Sequence, residues 1–174
     1  ELNAAVAEAN NLDLPTLAHC LSPESIRRAV RSGIGCIDHC AFIVRNSRGW
    51  LERRYDKAVA LELRDSDSYF TMSLALGERL EAIRRKKQIT ENEAFELEQD
   101  DRRLEIFGRL LDLGIKPVVG TDTGVPNTHF HETFLELLYM VKGGLSPEGA
   151  IEAATTSAAQ AMGMGDKIGR IAAG

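Results

Sequence analysis

Cysteine is scarce, with three residues (Cys20, Cys36 and Cys40) in a chain of 174. An odd number at that density excludes a disulfide scaffold and favours a reducing compartment, taken here as the cytoplasm. Positive charge is also short. Lys and Arg number 21 against 26 Asp and Glu, for a net charge of −5. Phosphate backbones demand clustered Lys and Arg, so a nucleic-acid partner is not expected. The one basic run, Arg84-Arg85-Lys86-Lys87, is followed by Glu91, Glu93, Glu96 and Glu98 and reads as a solvated helix face. No apolar stretch approaches the roughly 20 residues of a membrane span, so no membrane partner is expected either. Pro/Gly/Ser-rich linkers and low-complexity tracts are missing, which predicts one domain over 1–174. An initiating Met is also missing. The chain is expected to start inside a longer product or after processing, and no signal peptide is visible. What remains is 44% apolar and 27% charged, ordinary for a globular domain able to bury a core.

Short apolar runs alternate with helical patterns. Residues 1–10 are Ala-rich and stop at Asn10-Asn11. Pro15 to Ala18 is a short strand ending in His19. Ser22-Pro23-Glu24 then caps and opens a helix, with Ile26, Ala29 and Val30 as its apolar stripe and Gly33 as its stop. Gly35-Cys36-Ile37 is a second strand running into Asp38-His39. Tyr69 to Leu76 is a third strand candidate. Residues 77–101 are charged and predict an inserted helical excursion. Arg102 to Leu113 is an amphipathic helix, and Ile115 to Val119 is a fourth strand. His131 to Lys142 reads as a helix, Ser146-Pro147-Glu148 opens another, and Ser157 caps a last short one. Four βα units imply a parallel sheet. A closed eight-stranded barrel needs about 250 residues, so half a barrel and a small open α/β sheet both fit this length.

Parallel α/β folds bind ligands at the carboxyl ends of their strands. His19, His39 and Asp122 each stand at such an end, and His39 follows His19 by 20 residues, the spacing of adjacent βα units. Two imidazoles on neighbouring strand ends can share one divalent ion. A carboxylate from a more distant strand can approach it and accept a proton from water. A lone strand-end His is more often a polar cap, so spacing alone leaves coincidence open. Cys20, Cys36 and Cys40 offer a rival thiolate site, but neighbouring strand residues face opposite ways and no Cys-x-x-Cys is present. Buried small side chains are the expected role of the cysteines. His129 and His131 lie in the loop after Asp122. His129 is expected to meet substrate, against the plainer reading of a surface loop.

Thr16-Leu-Ala-His19, Gly35-Cys-Ile-Asp-His39 and Val118-Val-Gly-Thr-Asp122-Thr-Gly-Val-Pro126 resemble the amidohydrolase superfamily. The branch they resemble is imidazolonepropionase-like and Xaa-Pro dipeptidase-like. The stretch from Ser146 to Gly163 and Lys167 to Gly174 is similar to the family's exit from its barrel into a β-sandwich, placed here at about 165–174. The resemblance is weakest across Trp50 to Asp101. It implies an α/β fold of parallel βα units, the C-terminal half (about strands 5–8) of a (β/α)8 barrel of TIM type. It implies metal ligands at His19 after strand five, His39 after strand six and Asp122 after strand eight. Asp122 would also be the general base and proton shuttle. The implied cofactor is a divalent metal, zinc foremost, one or two in an intact parent. The implied reaction is hydrolysis of amide, peptide-like or cyclic amide C–N bonds by metal-activated water, on a small-molecule amide or dipeptide.

The family's strand-one His-x-His and strand-four Lys have no counterpart here: the first Lys is Lys57, and His129-Phe130-His131 follows the last strand. Two expectations result. The parent is a metal-dependent amidohydrolase, whereas the chain as given is incomplete and inactive alone. The alternative is a non-catalytic fragment or pseudoenzyme. In either case exposed sheet edges favour a homo-oligomer or pairing with a missing N-terminal half.

Overall fold

The computed structural model describes residues 1–125 and 128–173. Pro126, which ends the third motif above, and Gly174, which ends the barrel exit, lie outside them. Helix α1 (Leu2–Asn11) leads into strand β1 (Leu17–His19). Helix α2 (Pro23–Arg31) begins as its sequence dictates. The Ser22 hydroxyl accepts from the Ser25 amide at 3.1 Å, Ser25 Oγ accepts from the Ser22 amide at 3.0 Å, and Pro23 fills the first turn. Gly33, at φ +82°, ends it and turns the chain into β2 (Cys36–Asp38). Strand β1 pairs with β2 in parallel, Leu17 opposite Cys36 and His19 opposite Asp38. Strand β5 (Tyr69–Phe70) lies on the other side of β2, Cys36 opposite Tyr69. Residues 115–119 extend this sheet by a single parallel bridge, Phe70 to Pro117. The Phe70 amide donates to Lys116 O at 3.1 Å and the Val118 amide to Phe70 O at 2.8 Å. The architecture is therefore α/β with parallel strands in chain order.

Several elements depart from the sequence expectations. A hairpin, β3 (Ile43–Arg45) and β4 (Leu51–Arg53), and helix α3 (Lys57–Asp65) fill the stretch between the second and third parallel strands. The expected strand from Tyr69 to Leu76 stops at Phe70. Ser73 adopts φ +48°, which no strand tolerates, and the chain winds into a 3-10 helix over Leu74–Leu80. The helix expected from Arg102 starts eleven residues earlier. After α4 (Glu81–Arg84), helix α5 runs unbroken from Glu91 to Asp112. Thr90 and Glu93 form its reciprocal cap, a start signal stronger than the charge density that hid it. Ile115 to Val119 contributes one bridge rather than a strand. A 3-10 turn (Phe130–Glu132) precedes α6 (Thr133–Lys142), then come α7 (Pro147–Ala154) and α8 (Thr156–Ala161). Ser157 lies inside α8 and does not cap it.

The core lies between the sheet and the helices. Phe42, Phe70, Phe107, Ile37, Leu63, Leu110 and Met140 are fully buried. Each such side chain contributes about 1.5–3 kcal/mol of burial. Cys20, Cys36 and Cys40 are free and buried, Cys20 and Cys40 within the core cluster. No helix among the described residues is long and apolar enough to cross a membrane.

Candidate metal centre

His19 closes β1 and His39 follows β2, so the parallel register brings both to one end of the sheet. Their rings meet edge to face, centroids 4.4 Å apart at 79°. His39 stands at φ +62° and Cys40 at φ +42°, two consecutive residues in the left-handed region. Each such non-glycine residue costs about 1–3 kcal/mol and persists only where its surroundings hold it. Here the His39 amide donates to Thr71 Oγ1 at 3.1 Å, and the Ala41 amide to Cys20 O at 3.2 Å. The turn keeps His39 at the rim and sends Cys40, fully buried, into the core.

Asp38, which the motif Gly35-Cys-Ile-Asp-His39 carries with no local sign of a role, joins them. The Thr71 hydroxyl donates to Asp38 Oδ1 at 2.5 Å, and Asp38 Oδ2 lies 3.3 Å from His39 Nε2. One ligand atom each from His19, Asp38 and His39 lies within 4.8 Å of the others. These are two imidazoles and a carboxylate, the donors that divalent transition metals take. Tetrahedral zinc–ligand bonds of about 2.0–2.2 Å set donors about 3.3–3.6 Å apart, so side-chain rotations that draw the group together by about an ångström would let these residues hold an ion. Thr71 is itself set by a close approach. A Cβ on Gly120 would stand 2.9 Å from Thr71 Cβ, so only glycine fits there.

Asp122 lines the same cleft, of ≈ 390 Å³, as His19 and His39. It is exposed, at φ +53°, and stands outside the 4.8 Å group. His129 does not line this cleft. It faces an adjoining pocket with Thr121, Thr123, Thr128 and Glu132, its ring stacked on His131 at 5.7 Å. No cysteine joins a metal-ligating group among the described residues, and burial raises all three thiols, Cys36 to about 12.

The cleft is also lined by Arg53 from β4, Leu76 from the 3-10 helix and Arg103 from α5. Helix α5 fastens these parts together. Gln99 Oε1 accepts from the Arg53 amide at 2.5 Å, and Arg102 Nη1 donates to Arg53 O at 3.1 Å. Arg103 donates from Nη1 to Ser73 O at 2.9 Å and from Nη2 to Leu74 O at 3.2 Å. From α6, Glu136 accepts the Leu74 and Ala75 amides at 2.8 and 2.7 Å. It thereby supplies the cap that Ser73 does not give.

A fold of parallel βα units with His and Asp donors gathered at one sheet end defines a class, and the chain belongs to the Amidohydrolase family, matched over residues 1–174. Among solved structures it is similar to a Xaa-Pro dipeptidase with methionine bound in the active site, at a TM-score of 0.77 and 22% identity over 100% of this chain and 40% of that one. An amidohydrolase structure matches at a TM-score of 0.72 and 27% identity, over 98% of this chain and 38% of that one. A prolidase complexed with N-methylphosphonate-L-proline matches at a TM-score of 0.72 and 24% identity, over 100% and 39%. The chain thus spans about two-fifths of these relatives. No curated protein matches it.

Proposed function

We propose that this chain is the C-terminal half, about strands 5–8, of a (β/α)8 barrel in a metal-dependent hydrolase of amide or peptide-like C–N bonds. The observation that carries the reading is the pair of imidazoles, 4.4 Å apart on adjacent parallel strand ends. His19 and His39, with the Asp38 carboxylate beside them, would hold a divalent ion, zinc by donor type. Such an ion, when bound, lowers the pKa of water to about 7 and polarises an amide carbonyl. Asp122, across the cleft, takes a proton from the attacking water and returns it to the leaving nitrogen. His129, from the adjoining pocket, meets the substrate's outer end. The dipeptidase and prolidase relatives support a dipeptide or small amide as substrate. Exposed Leu17 on the edge strand, with Phe134 and Leu138 on α6, supports pairing with a second copy or with the barrel's first half.

Zinc titration by calorimetry on the 174-residue chain tests the centre. One zinc per chain is expected, lost in His19→Ala and His39→Ala. Unchanged binding in either variant rejects the ligand set. In the full catalytic protein, Asp122→Asn abolishes turnover and leaves the melting curve in place; normal turnover rejects Asp122 as the base.

A further inference from the structure

Beneath the hairpin the cleft meets a second cavity of ≈ 190 Å³, and Arg53, Leu76 and Arg103 line both. Arg79 also lines the second cavity. Three guanidinium groups, Arg53, Arg79 and Arg103, line the second cavity against two carboxylates, Asp100 and Glu96, and Asp122 lines the cleft side. Asp100, its buried carboxylate, is already committed: one oxygen pairs with Arg103 and the other with Arg84 at 3.0 Å. Glu96 stands exposed in the lining. Among the described residues no carboxylate lies within 4.0 Å of Arg53 or Arg79. Among the described residues the half-buried Arg53 guanidinium has one acceptor, the neutral Ala41 carbonyl, at 2.8 Å from Nη1. Burial lowers Arg53 to about 10, with the Arg103 and Arg79 charges adding to it and Asp100 opposing, so it remains a cation at neutral pH. Hydrogen-bond donors are in surplus as well. Among the described residues Arg103, 5% exposed, has no acceptor for Nε, and Gln99 has none for Nε2. A desolvated cation without a counter-charge is costly, and an open cavity at its side is where that charge would come from outside the chain.

We propose that Arg53 and Arg79 form a binding site for a carboxylate, which in the hydrolase takes the free carboxylate end of a peptide-like substrate whose amide lies by His19 and His39. The identity of that larger substrate rests on the reading under Proposed function; the carboxylate site rests on the unpaired guanidinium groups. Planar guanidinium forks match carboxylates two bonds at a time, with a geometry that a neutral amide cannot reproduce. The site therefore selects acids over amides.

Calorimetric titration of the EDTA-treated chain with N-acetyl-L-alanine and with N-acetyl-L-alaninamide tests it without any metal. The acid is expected to bind about tenfold or more tighter than the amide, the margin of a charge-assisted bidentate pair. Arg53→Met removes that preference, and Arg53→Lys restores part of it. Circular dichroism shows whether Arg53→Met folds; if it does not, Arg79→Met on the exposed rim decides, with a severalfold loss for the acid alone. Equal affinity for acid and amide in the wild type, or an acid preference untouched in the folded variant, overturns the proposal. Because no turnover or zinc is involved, its failure leaves the metal reading standing, and zinc binding unchanged in His39→Ala would reject the metal reading and leave this one standing.

Discussion

Glu136→Gln tests the buried carboxylate that caps the 3-10 helix whose Leu76 lines the cleft. Glu136 is 0% exposed and accepts from the Leu74 and Ala75 amides at 2.8 and 2.7 Å. Burial raises its carboxyl to about 7 from an ordinary 4.5, against the two backbone donors and the Arg103 charge. The native protein therefore binds this proton more tightly than the unfolded chain. The stability it contributes is full below pH 4.5 and is lost as pH rises through about 7. A shift of that size amounts to about 3 kcal/mol once the pH is above both values. Glutamine keeps one acceptor oxygen and never ionises, so it forfeits about 1 kcal/mol of hydrogen bonding at every pH. Near pH 5 the variant should be about 1 kcal/mol less stable than the wild type; at about pH 8 it should be more stable by about 1–2 kcal/mol. Urea denaturation followed by circular dichroism at the two pH values measures both. Variant and wild-type stabilities that change in parallel with pH would refute the reasoning.

Thr71→Val removes the hydroxyl that sets Asp38 and the His39 amide, and zinc affinity by calorimetry should fall about 10- to 100-fold with little change in fold. Gly120→Ala should lower it in the same way, by displacing Thr71 from the other side. Unchanged affinity in both variants would mean that Thr71 does not position the centre. Asp56 caps α3 by accepting from the Ala58 and Val59 amides at 3.0 and 3.1 Å. Asp56→Ala should cost about 1 kcal/mol in urea denaturation at neutral pH, and a loss under about 0.3 kcal/mol would show the cap to be idle.

The parts of this chain that were legible in the sequence share one property: their signal is local. Ser22-Pro23 marks a helix start because the capping groups are neighbours in the chain, and the Ala18-His19 and Ile37-Asp38-His39 endings mark strand termini because apolar runs stop there. The hairpin was not legible. Its strands are three residues each and carry Arg45, Glu52 and Arg53, so no alternation shows. Its one cue is Asn46, whose side chain accepts from the Arg48 and Trp50 amides to shape the turn. The helical character of 77–101 is legible, but its continuity with the helix from Arg102 is not, because the first half of α5 is largely charged and only Thr90 with Glu93 marks its start. Asp38 and Thr71 were missed for another reason. Their roles arise from parallel pairing between residues 33 apart, which no window along the chain contains. Arg53 likewise reaches the cleft only once the hairpin folds over it.

Helix α5 has a mechanical consequence for the cleft it borders. Three residues within one and a half turns, Gln99, Arg102 and Arg103, grip β4 on one side and the Ser73–Leu74 backbone on the other. A helix is stiff over that distance, so these two parts of the cleft lining are joined by a single strut. A ligand that presses on Arg53 is thereby felt at Leu76, and loosening the strut at its centre would slacken both sides together.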